Sequence, residues 1–512
     1  MLNRRDFLAA TGMAAAGAMT RRLIAQDIAA KQAASNTIAI DLGRELGSFP
    51  HYWENTAGSD RVAVGLREAW RQDLETVHRV AGIRSIRSHG LFNDEMGVCT
   101  GIEGHGLQLS FLYIDQVYDK MLEIGVRPFV ELSFMPSPLA SSGNTMFFYK
   151  GNVSPPLKWE YWAQLVQAYT AHCVKRYGIA EVSQWQFEVW NEPNINFWAG
   201  TQEQYFELYR QSAQAVKSVD RRLQVGGPST AQMAWIPELI DYCVRGDVPI
   251  DFVTSHIYAN DPQQNIFGKD SAYPFEQVMS RALRLTREHI QDSSRPDLPL
   301  LITEWSSQNP AFIAHAIKDC AGACQTMSYW TFDNVFEELG PQTQFINSQF
   351  GMIGQGGVAR PSLHAFELLH RLGEIRLAAG EGPILATRRA DGSHALLAWN
   401  LVPHKDRGFA EWFEDPLDAA RAEIHGRPPL PLRLQLAGRD LPPVATVTTT
   451  DPLRGSALLT WEKMGRPQSP TQDQIQQLRT AAKLPEATSI PINSGELVLT
   501  LEPNAVVLIE LG

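Results

Sequence analysis

Two glutamates, each at the end of an apolar strand-like run, are the residues best placed to do chemistry in this chain. The first run is Trp185-Gln186-Phe187-Glu188-Val189-Trp190-Asn191-Glu192-Pro193-Asn194, where aromatic and β-branched residues give way abruptly to an Asn-Glu-Pro turn signal. The second is Leu298-Pro299-Leu300-Leu301-Ile302-Thr303-Glu304-Trp305, followed by the loop-like Ser306-Ser307-Gln308-Asn309-Pro310. Period-2 alternation puts Gln186, Glu188, Trp190 and Glu192 on one face, and carboxylates on such a face are costly to bury without partners. In a closed barrel of parallel strands, Glu192 and Glu304 would open on the same rim, across the mouth from one another. Two carboxyls so placed can divide acid–base work: one holds a proton for a leaving oxygen, the other stays ionised to attack or to activate water. Glycoside hydrolysis requires that division. Taken singly, each glutamate reads more readily as a salt-bridge partner inside the barrel.

The elements that must position them run from about residue 40 to 370. Strand candidates are a poorly marked Gly43–Phe49, then Ile83–Arg87, Arg127–Ser133, Trp185–Asn191, Leu223–Gly226, Ile250–Tyr258, Leu298–Glu304 and Thr326–Thr331. Between them apolar residues recur at spacings of three and four, as in Trp70, Leu74, Val77 and Ala81, in Ile114, Val117, Met121 and Leu122, and in Trp162, Val166, Tyr169 and Cys173. Eight alternations predict an α/β chain folded as a (β/α)8 TIM barrel, with Glu192 ending the fourth strand and Glu304 the seventh. A doubly wound sheet is the alternative, but no Gly-x-Gly-x-x-Gly turn follows an early strand. After the helix-like Ser362–Leu372 the pattern changes to short β-rich segments: His394–Asn400, Val444–Thr449, Ala457–Thr460, Gly495–Leu501 and Ala505–Glu510. These predict a C-terminal all-β, sandwich-like module. The expected division is an export segment at 1–30, a catalytic barrel at 31–370 with 36–41 pairing into the β module, and that module at 371–512.

Composition narrows the partners. The 512 residues carry a net charge of −11 with no long basic run after the N-terminus, which argues against nucleic acid, whose phosphates need clustered positive charge. No later stretch has eighteen uninterrupted apolar residues, so no membrane span is expected. Asn3-Arg4-Arg5-Asp6-Phe7-Leu8 and the Ala/Gly-rich run after it resemble a twin-arginine export signal, which would place the mature protein in the periplasm or outside the cell; a frayed Ala-rich helix is the plainer reading. Cys99, Cys173, Cys243, Cys320 and Cys324 are odd in number and widely spaced, and read as free buried thiols rather than a disulfide framework or zinc site.

The stretch Phe187–Asn194 and Ile302-Thr303-Glu304-Trp305 resemble the acid/base and nucleophile motifs of glycoside hydrolase family 39, the β-xylosidase family. Arg87–Gly97, Phe129–Pro136, Gly151–Pro156, Phe197–Thr201, Val225–Pro228, Tyr329–Phe332 and Phe336–Pro341 resemble further family segments in the same order. The resemblance implies a metal-free and cofactor-free retaining exo-glycosidase that trims xylose from xylo-oligosaccharides. Glu192 would be the general acid/base and Glu304 the nucleophile, their carboxyl groups about 5–5.5 Å apart. Arg87, if close to Glu304, would favour its charged form, whereas Glu192, less compensated and partly desolvated, could keep its proton. The resemblance further implies that Asn191 bonds the sugar 2-hydroxyl and that Tyr258 bonds the nucleophile. His256 and His89 would contact the sugar, Trp330 would lie under it, and Glu337 and Glu338 would bind its distal hydroxyls. Plainer readings stand beside these: a turn asparagine, satisfied core histidines and a solvated acidic pair.

Three places depart from the family pattern: a shortened segment after Glu304, Phe345–Phe350 in place of a His-Gly-Gly loop, and Ser88 beside His89. They line the expected mouth, so a β-glucoside or an α-L-arabinopyranoside remains an alternative to the β-xyloside. A non-catalytic carbohydrate-binding protein is the rival from another class. Family members are often oligomeric, which leaves a homo-oligomer open.

Overall fold

The computed structural model describes residues 37–104, 106–403, 414–438 and 441–512; the expected export segment lies outside them. Eight parallel strands close into a barrel in chain order: Ala57–Arg61, Ser85–His89, Arg127–Leu132, Gln186–Val189, Gln224–Thr230, Phe252–His256, Leu300–Trp305 and Thr326–Tyr329. The last meets the first at Tyr329 and Ala57. The helices that follow the strands bury the stripes their spacing marks. Glu68–Ala81 turns Trp70, Leu74, Val77 and Ala81 inward, and Trp159–Tyr177 does the same with Trp162, Val166, Tyr169 and Cys173.

The first barrel strand is not the expected one. Residues Thr37–Ser48 form one long strand whose Ile38, Ile40 and Leu42 alternate with exposed neighbours, the signature of a one-sided sheet. It pairs antiparallel with Ile375–Ala379 and parallel with Leu430–Ala437, outside the barrel. The true first strand, Ala-Gly-Ser-Asp-Arg, is buried throughout yet has no apolar run to advertise it. Its small residues make room for the barrel interior: a Cβ on Gly58 would sit 2.2 Å from the Trp330 ring.

The remaining strands form one nine-stranded sheet, mostly antiparallel. Ala445 and Val447 near one end of its strand order share a core with Leu497 and Leu499 at the other, so the sheet folds over on itself as a sandwich-like module. The opposite face joins the barrel, because Trp399, Val506 and Leu508 belong to the barrel's own core. The module is not all β. Helices span Pro416–Ile424, Leu458–Lys463 and Gln472–Ala481, so the expected strand at Ala457–Thr460 is instead the start of a helix. These helices build a small third core of Val358, Leu417, Ala457, Trp461, Leu478 and Ala482, against which Phe345, Ile346 and Leu458 pack. All five cysteines are free and buried.

Candidate active site

The fourth strand ends at Val189, and the backbone then turns sharply, with Trp190 and Glu192 both at positive φ (71° and 41°). Such conformations cost about 1–3 kcal/mol each and persist only where the surroundings fix them. Here the Glu192 amide donates to the Ser229 carbonyl at 2.7 Å and the Trp190 indole to the Phe197 carbonyl at 2.7 Å. The turn, rather than strand alternation, therefore aims Glu192 into the mouth. Glu304 sits within the seventh strand, paired in register with His256 on the sixth.

One buried cation, Arg87 on the second strand, ties the floor of the mouth together. Its Nε donates to Glu188 Oε2 at 2.5 Å, and one terminal nitrogen to Glu304 Oε1 at 2.8 Å. The other reaches Glu131 Oε2 at 2.8 Å, Asn191 Oδ1 at 3.0 Å and Ser229 Oγ at 3.1 Å. Tyr258 donates its hydroxyl to Glu304 Oε2 at 2.9 Å, so both oxygens of Glu304 accept from fixed donors, which suits an ionised carboxylate. Glu192 has no such cation; its Oε1 lies 2.9 Å from His256 Nδ1. One oxygen of Glu192, one nitrogen of His256 and one oxygen of Glu304 all fall within 4.8 Å of one another.

Burial lifts the Glu192 carboxyl to about 7 against the pull of His89 and Arg87. His256 goes the other way: burial lowers it to about 4, only partly offset by Glu304, which leaves a neutral imidazole. For His89 burial would also favour the neutral ring, but Glu131 at 2.8 Å, Glu338 and Glu304 outweigh it and raise the group well above its ordinary value. Burial pushes Glu338 up to about 7, with His89, 3.4 Å away, opposing.

Glu192, Glu304, Asn191, His89, Tyr258, Trp330 and Glu338 all line one cleft of about 920 Å³. Arg87 and His256 act from beneath it. Glu337 does not join them: it turns away to pair with Arg67 at 2.7 Å and Arg61 at 2.9 Å. Trp330 is buried, with the His89 ring 4.6 Å from its own. Two residues were given no role on sequence alone. Glu131 accepts from Arg87, His89 and Ser133, and the signal that singled out Glu192, a carboxylate in an apolar strand, marks it equally. Asp261 lines the cleft with burial raising it to about 7, and its loop carries no periodic signal. Among the described residues two clusters bring three metal-ligand atoms together: Glu192, His256 and Glu304, and also His51, Glu54 and His370 behind the barrel. Each already holds a guanidinium, Arg87 on Glu304 and Arg84 on Glu54 at 3.0 Å, which competes with a cation.

A parallel barrel with two adjacent carboxyls in opposite charge environments, opening on a large cleft, defines a barrel glycoside hydrolase. The chain belongs to the glycosyl hydrolases family 39, whose model it matches over residues 36–497. It is 41% identical over 358 residues to a beta-xylosidase from Caldicellulosiruptor saccharolyticus, covering 66% of this chain and 72% of that one. A beta-xylosidase from Geobacillus stearothermophilus is 33% identical over 498 residues, 92% of this chain and 94% of that one. The crystal structure of a monomeric beta-xylosidase from Caulobacter crescentus CB15 matches with a TM-score of 0.83 at 31% identity, covering 93% of this chain and 99% of that chain.

Proposed function

We propose that the enzyme removes terminal β-D-xylose by double displacement, with Glu304 as nucleophile and Glu192 as acid/base. The observation that carries this is the pairing itself. One oxygen of each carboxyl lies within 4.8 Å of one from the other, which favours the about 5–5.5 Å spacing of retaining enzymes over the about 6.5–9.5 Å that leaves room for an inverting water. The beta-xylosidases it resembles supply the sugar.

In the first half-reaction Glu304 attacks the anomeric carbon as the glycosidic C–O bond breaks, and Glu192 delivers its proton to the departing oxygen. An ester between Glu304 and the sugar results. In the second, Glu192 takes a proton from water, whose oxygen attacks the same carbon and releases Glu304. His256 Nδ1 lies within hydrogen-bond reach of Glu192, and its neutral ring adds no charge that would strip the proton early. Asn191, held by Arg87, faces the cleft where a sugar 2-hydroxyl would lie. Trp330 and Glu338 line the cleft beside His89.

A panel of nitrophenyl glycosides tests the sugar: fastest release is expected from the β-xyloside, and none from it would remove the assignment. Proton NMR of the first product tests the stereochemistry, with the β-anomer of xylose expected first. We also propose twin-arginine export, supported by Arg4-Arg5-Asp6-Phe7-Leu8; a reporter fused after residue 35 should lose export when both arginines become lysine.

A further inference from the structure

We infer that the leaving-group end of the cleft is built for an extended apolar aglycone, so that the preferred substrates are pyranosides of long alkyl or polycyclic alcohols rather than longer sugar chains. This rests on the glycosidase reading above and deepens it.

The cleft combines a polar cluster with an extensive apolar lining. In that cluster Glu192, Glu304, His89, Asn191 and Glu338 offer charge and hydrogen bonds. The β module supplies one wall, through Leu401, Pro416, Ala419, Ala420, Ala457 and Leu458. A barrel segment beside it adds Phe345 and Ile346, which pack on the same small core, and Phe350. Leu458, Phe345 and Ile346 are backed by the small third core, so this wall is packed rather than loose.

Polar side chains do occur there, but Asn309, Arg360, Asn347 and Ser348 are already engaged within the protein. Asn309 caps a helix through the Ala311 and Phe312 amides and donates to Glu423 Oε1 at 3.0 Å. Arg360 donates to the Gln349 and Phe350 carbonyls and to Asn347 Oδ1, and Asn347 in turn bonds Asn334. Ser348 donates to the Glu414 carbonyl at 3.0 Å. A second or third sugar placed against this wall would give up its water for few partners, which is costly for each buried hydroxyl. An apolar group there loses nothing on leaving water and gains with every methylene covered.

The volume agrees. About 920 Å³ is in the range of sites that enclose a sizeable organic ligand, and much more than one pyranose fills.

Two chain-length series on the full-length enzyme test the inference, both below the micellar limit of the detergents used. Alkyl β-D-xylosides from methyl to octyl hold the leaving-group chemistry constant, and kcat/KM should climb by at least about tenfold across them. From xylobiose to xylotetraose it should stay within about threefold. Leu458→Gln and Ala420→Gln should each cut the octyl-to-methyl ratio by about tenfold, a ratio that is independent of the fraction of folded enzyme. A flat alkyl series, a rise with xylo-oligosaccharide length, or unchanged ratios in both variants would overturn it. If no β-xyloside is cleaved, the sugar assignment alone fails, and the same alkyl series on β-glucosides or α-L-arabinopyranosides reads the wall.

Discussion

With Glu192 as the proposed acid, its proton should set where activity ends on the alkaline side. Burial carries this carboxyl from 4.5 to about 7, with His89 and Arg87 opposing the rise and Glu131 adding to it. A rise of that size favours the protonated form by about 3 kcal/mol. At pH 6 an ordinary glutamic acid is almost wholly ionised, whereas here about nine-tenths would keep the proton. For a poor leaving group kcat/KM should therefore hold to about pH 6 and fall about tenfold for each pH unit above about 7. Because Glu192 and Glu304 lie so close, the apparent value belongs to the pair. Glu192→Gln removes the acid: kcat/KM on alkyl xylosides should drop by about 10²–10⁴-fold, and on a nitrophenyl xyloside by far less, since that leaving group departs without a proton. The alkaline limb should vanish with it. Initial rates from pH 5 to 9 on both substrates make the measurement. A limb that survives in Glu192→Gln, or equal losses on the two leaving groups, would refute the assignment of the acid.

Other outcomes follow from the same network. Glu304→Ala should lose at least about 10⁴-fold in kcat, and azide added to it should yield the α-configured glycosyl azide by NMR, while azide with Glu192→Ala should yield the β. Arg87→Met leaves Glu131, Glu188 and Glu304 without their shared cation, so chemical denaturation should show a loss of about 3–5 kcal/mol; unchanged stability would mean that the carboxyls are neutralised some other way. Asp333 is buried with no side-chain partner for its carboxyl, and burial raises it well above its ordinary value against the backbone amides of Val335 and Asp333. Its folded value lies above its unfolded one, so its contribution is full below about pH 4 and is lost as pH rises through the folded value. Asp333→Asn should thus gain in Tm relative to the parent as pH goes from 5 to 8, and a constant difference would contradict this.

Much of this architecture was legible because barrel strands and helices speak in different periods. Trp70, Leu74, Val77 and Ala81 could hardly be anything but a helix stripe, and the apolar runs ending in Glu192 and Glu304 marked two strands. The first strand was missed for a physical reason. A barrel strand lined by Gly58, Ser59 and Asp60 is buried by larger neighbours such as Trp330, not by its own side chains. The expected Gly43–Phe49 is instead largely the exposed second half of Thr37–Ser48, which pairs outside the barrel. The Glu337–Glu338 pair shows a second limit: adjacent residues face opposite ways, and which one enters the cleft depends on where Arg61 and Arg67 stand. Partner position is tertiary information that local pattern does not hold.

The unequal state of the two central carboxyls is better understood as a property of the whole buried set than of either residue. Arg87 and the protonated His89 supply two positive charges. Against them stand three carboxylates bonded directly to Arg87: Glu131, Glu188 and Glu304. The floor is already one charge negative before Glu192 or Glu338 is counted. A further negative charge must then enter a poorly solvated site with no cation left over, and burial drives both of those groups up to about 7. On this view Glu131 matters to catalysis although it touches no substrate. Making it neutral removes one of the charges that hold the proton on Glu192, but also the partner that keeps His89 protonated. The two effects on Glu192 oppose each other, because a neutral His89 withdraws the very charge that favours its ionised form. The acid's proton is thereby buffered against loss of the Glu131 charge.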